Sequence, residues 1–166
     1  MDTKTYMEQF SRTVADSFFG NNIHPSEFKN ALNNRIVVNE DIDLIKKSLF
    51  YNRKTHLREA GDEGIYWTQF NRDMLHAILG IDTESAELLE TLAAAPFLPE
   101  TGLKQMIVDE TGDLMWYVFL LLKSVGADLE DVLEKNIAKL KARYPDGFTT
   151  EAALHRNAEK ESAVFH

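Results

Sequence analysis

Cysteine is absent from the 166 residues. That removes disulfides, thiolate metal sites and cysteine nucleophiles together, and it fits a reducing compartment. Positive charge is also scarce: 18 Lys and Arg face 27 Asp and Glu, a formal net charge of −9. Broad electrostatic capture of nucleic-acid duplexes needs a basic surface and is excluded. A small phosphate ligand is not, because an acidic site takes a polyphosphate through divalent ions. Local basic clusters remain at Lys46-Lys47, Arg53-Lys54 and residues 135–143. Long apolar runs are missing: the longest, 114–122, is far too short to cross a bilayer, and the opening MDTKTYMEQF has no apolar signal core. Convincing strand-like alternation, repeats and low-complexity segments are missing as well. The expectation is a cytoplasmic, soluble all-α protein with one domain over residues 1–166.

What the chain does have is helical periodicity. Residues 3–19 carry an apolar stripe of Tyr6, Met7, Phe10, Val14 and Phe18, closed by Gly20-Asn21-Asn22. His24-Pro25-Ser26 starts a short helix ending at Asn33-Asn34, and Asn39 reads as the N-cap of a further helix that ends near Lys46-Lys47. Residues 51–64 read as a loop. A long helix is predicted over 65–92, with Pro96 and Pro99 at its exit, and another over 103–124, closed by Gly126. Its segment 114–122 is apolar nearly all round, as in a helix covered by other helices or by a second subunit. Asp128 caps the next helix, Pro145 stops it, and a charged tail follows over 151–166. The resulting fold is a bundle of four main helices plus shorter N- and C-terminal helices, completed by dimerisation.

Two acidic pairs interrupt this apolar pattern, Glu84 with Glu87 and Glu110 with Asp113. Residues three apart are neighbours on a helix surface, so each pair presents two carboxylates side by side. Their helical-wheel neighbours are core-type: Ala77, Gly80, Leu88 and Thr91 for the first, Met106, Leu114 and Tyr117 for the second. An inward carboxylate costs several kcal/mol unless it is paired or bound to a cation. Magnesium is the cation that prefers oxygen donors and completes its shell with water and substrate phosphate. Asn136, Lys139 and Arg143 form a polar row beside the stripe of the next helix. A di-iron carboxylate bundle is the nearest competitor, but it wants a Glu-x-x-His on two helices, and neither pair supplies the histidine.

The segments GIDTESAEL at 80–88 and DETGDLMWY at 109–117 resemble the ExxE and ExxD motifs of MazG-like all-α nucleoside triphosphate pyrophosphohydrolases. NIAKLKARYPDGF at 136–148 resembles a third motif of that family, and the likeness covers roughly residues 65–150. The resemblance implies that Glu84, Glu87, Glu110 and Asp113 bind magnesium, with manganese as a substitute. It implies that Asn136, Lys139, Arg143 and Tyr144 contact the triphosphate, and that Glu84 is the catalytic base. The implied reaction cleaves an NTP or dNTP between the α and β phosphates, giving a monophosphate and pyrophosphate, in control or cleansing of the nucleotide pool. It further implies a homodimer or a dimer of dimers. In one respect the chain departs from the family, which often carries a further glutamate directly before the first pair; Thr83 stands there. The alternative from another class is a non-catalytic helical module that binds nucleotide or protein and keeps a structural metal site. Trp67, Phe70, Tyr6, Phe10 and Trp116 are candidates for stacking on a base.

Overall fold

The computed structural model describes residues 1–15, 17–57, 69–155 and 157–163, the side chains of 69–71 and 160 apart. Among the described residues all regular structure is helical: α1 (Thr3–Phe10), α2 (Pro25–Tyr51), α3 (Gln69–Ala94), α4 (Glu100–Val125), α5 (Leu129–Arg143), α6 (Thr150–Leu154) and α7 (Ala158–Ser162). The expected all-α class and its four main helices, α2 to α5, are therefore observed. The chain divides into two compact units, residues 23–126 and residues 1–22 with 127–166.

The first unit is α2, α3 and α4, with α3 packed against both of the others. Instead of two short helices, residues 25–51 form one. The inward stripe passes straight through Asn33-Asn34, with Leu32, Ile36, Asn39, Ile42, Lys46 and Phe50 all half-buried or buried at helical spacing. That unbroken contact with α3 outweighs the weak helix propensity of asparagine. Asn39, expected to cap, lies within the helix at 5% exposure. His24 is the true N-cap, accepting from the Ser26 amide, with Pro25 opening the first turn, and Asn52 ends the helix in the left-handed region at φ 52°. The expected start of α3 at residue 65 lies outside the described residues. Its exit is as expected, through a 3-10 turn at residues 95–97.

Close approach of α3 and α4 depends on small side chains. Ala77 and Ala86 are fully buried, and the ring of Tyr117 rests directly on the backbone of Gly80, where an added Cβ would collide with it. α4 ends on Gly126 in the left-handed conformation, φ 67°, as its sequence indicates. Several of its apolar side chains stay exposed, Trp116, Phe119 and Val108 among them. No described helix is long and apolar enough to cross a membrane.

In the second unit α1 and α7 pack on α5. The helix expected over 3–19 stops at Phe10. Local hydroxyls compete with the helix there: Ser11 donates to the Glu8 carbonyl and Thr13 to the Phe10 carbonyl. Val14 is already extended, and Phe18 is 95% exposed. Asp128 caps α5 by accepting from the Glu130 amide at 2.8 Å, and the turn after Arg143 uses Gly147 at φ 109°. Residues 150–162 add the short helices α6 and α7 of the tail.

Candidate functional site

α3 and α4 bring three of the predicted carboxylates together. Glu84 and Glu87 share one face of α3, Glu110 faces them from α4, and each offers an oxygen within 4.8 Å of the others. Asp113 is not in that group. It lines, with Glu84, Tyr51, Trp116 and Tyr117, a cavity of about 360 Å³. Among the described aromatic residues considered for base stacking, Trp116 is the one that lines this cavity, and it is 56% exposed. Tyr6 and Phe10 stack on each other in the other unit. Trp67 and the side chain of Phe70 lie outside the described residues.

Like charges this close raise one another's proton affinity. Burial, then the Glu87 charge, pushes the Glu84 carboxyl above its ordinary value, against the pull of Lys46. Burial, then the Glu110 carboxylate, does the same to Glu87. The donor set fits a hard divalent cation: three carboxylate oxygens lie within reach of one another, and burial and mutual repulsion disfavour the charged forms of Glu84 and Glu87 until positive charge joins them.

The residue that sequence reasoning missed is Lys46. Its place near the C-terminus of α2 suggests a solvated helix-terminal cation, yet it is only 3% exposed and reaches the acids. Its ammonium donates to Thr83 Oγ1 at 2.6 Å and lies 3.4 Å from both Glu84 Oε1 and Asp43 Oδ1. The Tyr117 ring centroid is 5.2 Å away. Thr83 in turn donates to the Gly80 carbonyl at 2.9 Å. The available signal was the spacing of Lys46 with Ile42, four residues earlier on the buried stripe. Around this centre His76 stacks on Phe50 at 4.1 Å, and the Tyr51 and Tyr117 hydroxyls meet at 3.0 Å. Burial, then that bond, raises the proton affinity of Tyr117.

The polar row on α5 belongs to the other unit. Asn136 Oδ1 accepts from the Tyr6 hydroxyl at 3.0 Å. Arg143 is clasped by Glu161 through two hydrogen bonds, which raises its already high pKa further. Arg143 and the buried Tyr144 line a cavity of about 390 Å³ with Asp146, Thr149 and His155. Lys139 is half-buried on the same helix.

Residues 73–148 match the family model of the MazG nucleotide pyrophosphohydrolase domain. That span contains both acidic pairs and the NIAKLKARYPDGF segment. Neither the curated proteins nor the solved structures compared with the chain give a match.

Proposed function

From the match of residues 73–148 to the MazG nucleotide pyrophosphohydrolase family model, we propose that this chain is a MazG-like, magnesium-dependent nucleoside triphosphate pyrophosphohydrolase. Its substrate is an NTP or dNTP, cut between the α and β phosphates into monophosphate and pyrophosphate. The observation that carries the reading is the meeting of Glu84, Glu87 and Glu110 inside the matched segment.

Each residue has a task that follows from its surroundings. Glu87 and Glu110 offer the facing oxygens that would hold the ion, and Asp113 adds a carboxylate at the cavity wall. Bound magnesium supplies neutralisation of the polyphosphate charge and activation of a water. Glu84 is gripped through Oε1 by the Lys46 ammonium, which leaves Oε2 to work as a base. Water adds to the anhydride, the α–β bridge breaks, pyrophosphate leaves, and Glu84 takes the proton of the water. Asn136, Lys139, Arg143 and Tyr144 are assigned to the phosphate groups by the resemblance of their segment.

The test is incubation with a panel of ordinary and modified NTPs and dNTPs plus magnesium, and separation of the products. Monophosphate with pyrophosphate is the expected pair. No turnover of any member, or release of single phosphates only, overturns the reading; nucleotide binding by calorimetry without product would then indicate the non-catalytic module. We also propose a homodimer, supported by the exposed apolar side chains of α4. Light scattering that found a stable monomer at micromolar concentration would refute it.

A further inference from the structure

Lys46 comes from α2, outside the segment shared with the family. A lysine is rarely buried, because its ammonium loses water and its long side chain loses rotamers. Here three oxygens from two helices receive it: Thr83 Oγ1 at 2.6 Å, Glu84 Oε1 and Asp43 Oδ1 at 3.4 Å. The Thr83 hydroxyl brings no charge of its own. It accepts from the ammonium and passes its own hydrogen to the Gly80 carbonyl, so the ammonium is fixed from below, with the Tyr117 ring closing another side.

We propose that Lys46 is a positioning residue of the carboxylate site, a fixed cation that orients Glu84 and limits the substrate-free cluster to one divalent ion. The charges support that count. The carboxylates that can reach one ion together, Glu84, Glu87 and Glu110, bring three negative charges to one place, and one ammonium with one divalent ion balances them; Asp113 stands on the cavity wall outside that group. Asp43 does not upset the balance, because Lys47 is its second partner. A second divalent ion would be in excess until a triphosphate arrives with negative charge of its own, so it enters with the nucleotide. The inference rests on the proposed metal site but not on turnover.

The experiment is titration of the full chain with Mn2+ alone, by calorimetry for stoichiometry and by electron paramagnetic resonance for isolated or coupled ions. The wild-type protein takes one ion with an isolated spectrum. Lys46→Met, freed of the neighbouring positive charge, binds Mn2+ about tenfold more tightly or accepts a second ion, while Lys46→Arg, which keeps the charge, stays near wild type. A lysine that served only as packing would not tighten metal binding when removed. Two ions on the wild-type chain, or unchanged or weaker binding by a folded Lys46→Met, overturn the proposal. Where Lys46→Met does not fold, the wild-type stoichiometry decides. A protein that binds no Mn2+ fails the metal site itself, whereas one ion without hydrolysis of any nucleotide removes the enzymatic reading and leaves Lys46 in its role.

Discussion

Glu110 contributes a carboxylate to the cluster from across the α3–α4 contact. Replacing it with glutamine keeps the shape and removes the charge. Nucleotide hydrolysis is expected to fall by about a hundredfold or more, with metal affinity falling too and helical circular dichroism unchanged; a variant with full activity would remove Glu110 from the site. His76 titrates in the opposite sense from the acids. Burial, then the Lys46 charge, holds its pKa below the ordinary 6.5. The native state then binds fewer protons than the unfolded chain, so this contribution to stability is complete above 6.5 and is lost as the pH falls through that value towards the lower folded pKa. Proton NMR should place the His76 midpoint below 6.5, and urea unfolding of His76→Gln should show a shallower loss over that window. A midpoint at or above 6.5 contradicts the burial argument.

At the scale of elements, the α3–α4 crossing depends on Gly80. Gly80→Ala is expected to cost about 1–3 kcal/mol, the range for overpacking a tight contact, read as a lower urea midpoint at constant m-value. Because Tyr117 also flanks Lys46, the same change should disturb divalent binding. The sequence showed α4 and α5 clearly, since Gly126, Asp128 and Pro145 punctuate them with residues whose backbone chemistry leaves little choice. It drew attention to the acid pairs because carboxylates among apolar residues demand a reason; three of the four meet, while Asp113 is exposed at the cavity wall. α2 was obscured for the opposite cause: Asn33, Asn34 and Asn39 look like stops locally, and only contact with α3 overrides them. Lys46 is hidden by the same logic, as a charged side chain on a stripe is stabilised through partners such as Thr83 and Glu84 that are distant in sequence. α1 was overextended because Val14 and Phe18 continue an apolar period that the hydroxyls of Ser11 and Thr13 interrupt.

For the molecule as a whole, folding and ion binding should be linked. Carboxylates gathered at one point repel until a cation joins them, so the folded chain binds magnesium better than the unfolded one. At a free ion concentration a hundredfold above Kd the gain is about 2.7 kcal/mol, measurable as a rise in Tm that chelator reverses. A Tm indifferent to magnesium would mean that the cluster does not hold the ion.

The clasp between Arg143 and Glu161 carries a consequence of a different kind. A guanidinium engaged through Nε and Nη2 in a two-pronged bond to a carboxylate offers a phosphate that same fork only by exchange. Under the role proposed for Arg143, α7 would compete with the nucleotide for that fork, and its release would accompany ligand capture. Limited proteolysis should therefore cut residues 150–163 faster when nucleotide is present, and Glu161→Gln should bind nucleotide more tightly than the parent chain. Protection of that segment by nucleotide would instead make the clasp a permanent brace of the turn that follows α5.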